Sequence, residues 1–286
     1  MKLSMEHCIL RDRFGDKTGI KMIKDAGFDA FDYSFYGTNE KNDILGDNYA
    51  EIAKDLRKYI DEIGIECNQA HAPFEFRYNE NKIEISDNTY LRIVRSMEFA
   101  SILGAKNIII HSIKTPENEF TEYNYKFYKS LEPFCEKFGI CISVENLFSF
   151  NDKGCCKGRL CNPKEHCDFV ESLNSKWFNI CIDVGHSAIT GYEPEYIIES
   201  INNGMLQALH IHDNDYRYDL HQLPYLGKFN WDNITCALSK INYSGDFTFE
   251  TISFIQSFDN ELMPYALKLI EQTGRLLIKK TENNFN

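Results

Sequence analysis

Eight short apolar runs, separated by longer amphipathic stretches, constrain this chain more than any other feature. They are KLSM (2–5), FDAFDYS (28–34), IECNQAH (65–71), NIIIHS (107–112), CISVEN (141–146), NICIDVG (179–185), QALHIHD (207–213) and DFTFET (246–251). Runs of this length read as strands. Between them, residues 48–63 place Ile52, Leu56, Tyr59 and Ile63 at helical spacing, and residues 88–103 do the same with Leu91, Val94, Phe99, Ile102 and Leu103. Gly64 and Gly104 follow as helix stops, and Asp87 precedes the second helix as an N-cap. Pro163 and Pro194 stand where further helices begin, and 259–280 reads as a long final helix. Strands alternating with helices predict a parallel sheet of the α/β class. Eight units in 286 residues suit a closed (β/α)8 TIM barrel forming one domain over 1–286, with an open doubly wound sheet as the alternative. No repeat or linker divides the chain. The longest loop is expected at 147–162, and the tail 281–286 is expected to fray.

Composition narrows the function classes. The chain is 43% hydrophobic and 26% charged, as in ordinary soluble globular proteins. Its net charge of −12 is a poor balance for a surface that must neutralise phosphates. No apolar run approaches the roughly 18 residues of a membrane span. At the N-terminus, Glu6, Arg11, Asp12 and Arg13 interrupt any signal-peptide core. The ten Cys are therefore read as reduced thiols of a cytoplasmic protein. Cys155, Cys156, Cys161 and Cys167, with His166, share one segment but match no paired CxxC pattern. They read as loop and helix thiols, with a structural zinc site as the alternative.

The chemistry lies in where His, Asp and Glu fall. His71 ends the third strand, His111 the fourth, Glu145 the fifth, Asp183 the sixth with His186 just beyond. His210 lies near the end of the seventh, and Glu250 ends the eighth. Barrel active sites are built at the C-terminal ends of the strands. One such residue is commonly a hydrogen-bonded core group. Six successive strands carrying them to one rim would crowd carboxylates together unless a cation sat among them, and a divalent metal is the simplest reconciliation.

These residues carry a family resemblance. HAPF (71–74), His111, Glu145-Asn146, DVGH (183–186), HIHD (210–213), DLH (219–221) and Glu250 resemble the xylose isomerase-like TIM-barrel superfamily. It includes sugar-phosphate isomerases and epimerases, ketose 3-epimerases, inosose-processing enzymes and endonuclease IV-type AP endonucleases. The resemblance implies a metal site on Glu145, Asp183, His210 and Glu250. Mn²⁺, Mg²⁺ or Co²⁺ suits such ligands, with Zn²⁺ also compatible. His212 is the rival for His210. His210 is preferred because in the family an acidic residue follows the ligand by three, here Asp213. The AP endonuclease pattern of two further zinc sites also has counterparts, His71 and His111 with Glu145, and His186 with Asp219 and His221. The alternative is that His71, His111 and His186 bind substrate hydroxyls. Phe229 stands where the family usually has a second glycine after Leu226-Gly227-Lys228.

Three functions follow as expectations. The first is a metal-dependent sugar or sugar-phosphate isomerase or epimerase. The resemblance implies that Glu145 and Glu250 exchange a proton next to a carbonyl through a metal-bound enediolate, with His186 and Arg217 holding hydroxyls. The second is zinc-dependent cleavage at abasic sites. Acidic rim loops speak against it: Glu40, Asp43 and Asp47 with Lys41; Glu75, Glu80, Glu84 and Asp87 with Arg77 and Lys82; Glu117, Glu119 and Glu122 with Lys114. Only the stretch with Lys153, Lys157, Arg159 and Lys164 is basic, and it suits one sugar phosphate. The third is a non-catalytic sugar-binding barrel, which the presence of both glutamates disfavours. Phe35, Tyr36, Phe74, Phe148 and Trp231 are expected on or near the rim. The expected partner is a small sugar, with neither membrane nor nucleic acid, and an oligomer is compatible with the sequence.

Overall fold

The computed structural model describes residues 1–37, 44–80, 82–150, 156–202 and 204–283. Glu40, Lys41, Asp43, Lys153, Cys155 and the end of the tail, 284–286, lie outside them, as does the side chain of Lys157. The described strands are β1 (Leu3–Met5), β2 (Ala30–Ser34), β3 (Glu66–His71), β4 (Asn107–Ile109), β5 (Cys141–Glu145), β6 (Leu147–Phe150), β7 (Cys156–Arg159), β8 (Phe178–Asp183), β9 (Leu206–His210) and β10 (Phe247–Phe249). Strands β2-β3-β4-β5-β8-β9 form a parallel sheet in that order, and β1 pairs in parallel with β10. Bridges Glu6–Asp32 and Ile211–Phe249 join that pair to both edges of the sheet. The His7 amide donates to Asp32 O at 3.2 Å and the Ile211 amide to Thr248 O at 2.8 Å. The eight parallel runs expected from the sequence thus close into a ring, which removes both sheet edges.

Eleven α-helices are described, α1 (Cys8–Phe14), α2 (Asp16–Ala26), α3 (Tyr49–Ile63), α4 (Asn88–Leu103), α5 (Phe120–Phe138), α6 (Pro163–Ser172), α7 (Val184–Ile189), α8 (Pro194–Ser200), α9 (Trp231–Lys240), α10 (Ile252–Gln256) and α11 (Met263–Asn283). The expected caps are present. Asp87 accepts from the Thr89 and Tyr90 amides, and Gly64 and Gly104 close α3 and α4 in the left-handed region, where a Cβ would be strained. Asn162 accepts from the amides of Lys164 and Glu165, with Pro163 in the first turn. The buried stripe of α4 runs through Tyr90, Ile93, Met97, Ala100 and Leu103, whereas Leu91 is exposed. None of the described helices is long and apolar enough to cross a membrane.

Two local expectations are corrected. The stretch 147–162 contains the antiparallel hairpin β6–β7, with Leu147 opposite Arg159. Leu147, Phe148 and Ser149 are all half-buried, so no apolar–polar alternation marks β6 as a strand. Thr281–Asn283 continue α11, and Thr281 is buried, its hydroxyl donating to Leu277 O. In the cysteine segment, Cys161, Cys167 and His166 have separate partners, as loop and helix side chains do. Cys161 Sγ lies against Leu147 O, Cys167 Sγ accepts from the Asn202 amide, and His166 Nε2–H donates to Val144 O. They form no ligand cluster among the described residues.

Candidate active site

The ring delivers its polar side chains upward because each strand ends where the sequence placed it. His71 and Glu145 are the last residues of β3 and β5, Asp183 and His210 the last of β8 and β9, and Glu250 follows β10. His111 and His212 lie two residues past β4 and β9, so each stays on the inward face. Asp183 also caps α7, accepting from the His186 amide at 2.8 Å. That cap turns the chain sharply and brings His186 back over the rim. Asp219 and His221 arrive from the loop after β9. His221 has φ 43°, a left-handed conformation uncommon outside glycine.

The side chains converge in three overlapping groups. In the first, His71 Nε2 and His111 Nε2 are 3.0 Å apart, and lie 3.8 and 2.8 Å from Glu145 Oε2. In the second, His210 Nδ1 is 2.7 Å from Glu145 Oε1 and 3.6 Å from Glu250 Oε1. Ligand atoms of Asp183, His210 and Glu250 all lie within 4.8 Å of one another. In the third, Asp219 Oδ2 is 2.9 Å from His221 Nε2 and 3.5 Å from His186 Nε2. His212 Nε2 lies 3.1 Å from Asp183 Oδ1 and 3.7 Å from Asp219 Oδ1. The structure therefore places His210 with Glu145 and Glu250, and His212 between Asp183 and Asp219.

Backbone carbonyls orient three of the rings. The Nδ1–H of His71 donates to Ala72 O (3.0 Å), that of His186 to Asn146 O (2.9 Å) and that of His221 to Glu250 O (2.8 Å). Each ring thereby presents Nε2 to the carboxylates, the arrangement by which proteins prepare imidazole for a metal.

Charge is dense here. Burial pushes Glu145 upward, but His210, His111 and His71 outweigh it and hold its carboxyl well below the usual range. Burial raises Glu250 to about 8, with Glu6 and Glu145 adding to the rise. Burial alone would lower His221, yet Asp219 lifts it to about 10. His186 is likewise raised against burial, chiefly by Asp183. A divalent ion among these carboxylates would supply the positive charge that so dense an acidic cluster calls for.

A cavity of about 780 Å³ opens over the cluster. His71, His111, Glu145, His186, Asp219, His221 and Glu250 face it, while Asp183, His210 and His212 lie fully buried. Tyr36 and Phe74 stack at 5.2 Å, Phe74 stacks on His111 at 4.9 Å, and Phe148 packs against His186 at 5.0 Å. All three aromatics line the cavity. A family model described as "Xylose isomerase-like TIM barrel" matches residues 20–272.

The chain belongs to the xylose isomerase-like TIM-barrel family.

Among its curated relatives, the uncharacterised protein y4fM of Sinorhizobium fredii is 24% identical over 265 residues, covering 83% of this chain and 81% of its own. A D-tagatose 3-epimerase-like protein superposes with a TM-score of 0.73 at 21% identity, covering 98% of this chain and 99% of its own. The IOLI protein, solved with a bound zinc atom, gives a TM-score of 0.71 at 16% identity, covering 100% and 99%.

Within this family frame, several expected positions differ. Arg217 is exposed, its amide donating to Asp215, and it does not line the cavity. The lining cations among the described residues are Arg77 and Lys114. Arg159 and Lys164, the described side chains of the basic stretch, do not line the cavity either. Lys164 pairs with Asp168, and Arg159 lies over the Phe120 ring. On the acidic loops, Glu75 is paired with Arg92 and Asp47 with Arg95. Phe35 and Trp231 are buried. Trp231 Nε1–H donates to Asp213, which also accepts from the Tyr225 and Phe229 amides. Asp213 thus organises the loop after β9. A Cβ on Gly227 would lie 2.1 Å from Asp213 Oδ1, so the glycine permits that close approach. Phe229 is buried against Tyr216. Sequence reading missed Glu6, which lines the cavity directly after β1. The strand-end rule applied to KLSM would have found it.

Proposed function

We propose that this protein is a metal-dependent sugar isomerase or epimerase. One observation carries the reading. Glu145 and Glu250 both face the cavity, both belong to ligand clusters, and they rise from β5 and β10, three strands apart around the ring. A substrate seated between them meets a carboxylate from two directions, which suits removal of a proton by one and return by the other.

The residues fit a divalent ion. The donors are oxygen and imidazole nitrogen, as hard or borderline metals require. Glu145 Oε2, His210 Nε2, His212 Nδ1 and Asp219 Oδ1 are buried without a well-formed hydrogen bond, an expensive condition unless something else satisfies them. Glu145, Asp183, His210 and Glu250 would hold the ion, and Mn²⁺, Mg²⁺, Co²⁺ and Zn²⁺ all suit that set. When bound, it supplies Lewis acidity that makes the C–H next to a carbonyl easier to ionise. His186 orients a hydroxyl from the wall, and the apolar faces of Tyr36 and Phe74 receive the sugar's C–H surface.

A second reading, zinc-dependent cleavage at abasic sites, draws on the completeness of the other two groups, His71–His111–Glu145 and His186–Asp219–His221. The cavity favours the sugar reading: its described cations are two, and its aromatic wall suits a small molecule. The test is a ketose and ketose-phosphate panel in deuterium oxide with Mn²⁺, read by NMR, beside an abasic duplex with Zn²⁺ at low salt. Deuterium incorporation next to the carbonyl without nicking supports the proposal. Nicking without incorporation overturns it.

A further inference from the structure

Glu6 and Asp219 are acidic cavity residues that the proposed chemistry does not use, and Asp219 is paired with His221 and His186. Met5 pairs in register with Phe249, and the Glu6 amide donates to Phe249 O at 2.8 Å. Glu6 therefore stands beside Glu250 on the neighbouring strand. It is only 6% exposed and yet lines the cavity. Its Oε2 is buried with no hydrogen-bond partner, and the weakly donating Cys8 thiol is within hydrogen-bonding reach of the carboxylate. Arg11, on the helix that follows, is committed elsewhere, to Asp12 and to the Ser34 and Tyr36 carbonyls. Among the described residues, no ligand-type cluster includes Glu6.

A buried carboxylate oxygen without a hydrogen-bond partner is costly, and native proteins rarely keep one without a purpose. Glu6 also lines the space where a substrate would sit. The adjoining wall is Ser34 at the end of β2, with Ile252 and Gln256 of α10. None of these brings a positive charge, so a donor on the bound molecule is left to satisfy the carboxylate. Neighbouring strands lie about 4.8 Å apart, so a molecule held at Glu250 brings its next polar group within reach of Glu6.

We propose that Glu6 is a substrate-anchoring residue, whose carboxylate accepts a hydrogen bond from one hydroxyl of a polyol chain held over the Glu145 and Glu250 cluster. This rests on the sugar reading and adds a determinant of which sugar fits. It favours a substrate with a free hydroxyl at that point over one blocked or anionic there.

The experiment compares wild type with Glu6→Gln and Glu6→Ala, all metal-loaded, on the ketose panel and on monodeoxy ketoses. Metal content is expected to be unchanged. The melting temperature should stay the same or rise, because an uncompensated buried carboxylate is removed. For the ketose that exchanges fastest, kcat/KM should fall roughly 10- to 100-fold, mainly through KM, as expected for a hydrogen bond to a charged group. One deoxy ketose should be equally poor with wild type and lose nothing more in Glu6→Ala. The proposal is overturned by kcat/KM within about twofold of wild type, by metal loss with a lower melting temperature, or by an equal deficit on every deoxy ketose. If wild type exchanges no ketose, the sugar-chemistry reading falls separately. Glu6 is then judged by the thermal shift that millimolar ketoses impose. A shift lost in Glu6→Ala supports the anchor, and an equal shift in both proteins, or none with any sugar, overturns it.

Discussion

Gly185→Ala puts the local packing of the site to a quantitative test. Gly185 lies in α7, one residue before His186, and is buried. An ideal Cβ there would lie 2.0 Å from His212 Cε1, 2.5 Å from Nε2 and 2.9 Å from Nδ1. Carbon atoms rest about 3.5–4.0 Å apart, so the ring or the helix must yield by about 1.5 Å. The ring has nowhere to go. It is fully buried, stacks on His221 at 4.1 Å and bonds Asp183 at 3.1 Å. Overpacking of this kind costs about 1–3 kcal/mol, while alanine in place of glycine returns up to about 1 kcal/mol of helix propensity. A 2.0 Å approach puts the cost at the upper end, so the net expectation is a loss of about 2 kcal/mol, or a melting temperature lower by roughly 4–8 °C. The displaced ring should also lower metal occupancy at limiting metal. Thermal denaturation and elemental analysis measure both. A double-mutant cycle isolates the cause: in a His212→Ala background the clash is gone, and Gly185→Ala should become neutral or stabilising. A single mutant as stable as wild type, with full metal content, would refute the packing argument.

Three further outcomes are expected. Glu250→Gln should keep the fold and lower turnover by several orders of magnitude, because the amide fits but cannot take a proton; near-normal turnover at saturating metal contradicts the proposed role. Chelation should abolish activity and lower the melting temperature, and a divalent ion should restore both, since a ligand bound only by the native state at about 100 times its Kd adds about 2.7 kcal/mol; unchanged behaviour after verified metal removal counts against a metal site. His166 is fully buried, and burial lowers its imidazole to about 4. The unfolded chain therefore takes up this proton near the ordinary value of about 6.5, and the native state only near 4. Stability is complete above about pH 6.5 and falls by up to about 3 kcal/mol as the pH drops to about 4. His166→Gln should flatten that part of the curve, and equal slopes in urea titrations of the two proteins would exclude the assignment.

The metal-type residues were legible because a strand end is a local property. His71, Glu145, Asp183, His210 and Glu250 each close or adjoin an apolar run that must lie in the barrel wall, so their common rim follows from the fold class. Glu6 obeys the same rule and went unread only because KLSM is short. Arg217 stands away from the cavity for a different reason. It lies beyond a strand, in a loop whose path is set by Asp213 gathering the Tyr225 and Phe229 amides and the Trp231 indole. Those partners are 12 to 18 residues away, and no local pattern announces them. Arg77 and Lys114 face the cavity for equally non-local reasons.

The sequence by itself determined the eight-unit rhythm, the helix caps at Asp87, Gly64 and Gly104, and the set of residues delivered to the rim, because strand period and capping are decided within a few residues. Tertiary structure alone decided the partners within that set. It put His212 against Asp183 and Gly185, turned His71, His186 and His221 so that backbone carbonyls aim their Nε2 atoms inward, and stood Glu6 beside Glu250. Those relations depend on the closure of β1 onto β10 and on the return of the loop after β9. Both bring together groups distant in sequence, and the burial that follows makes each contact count.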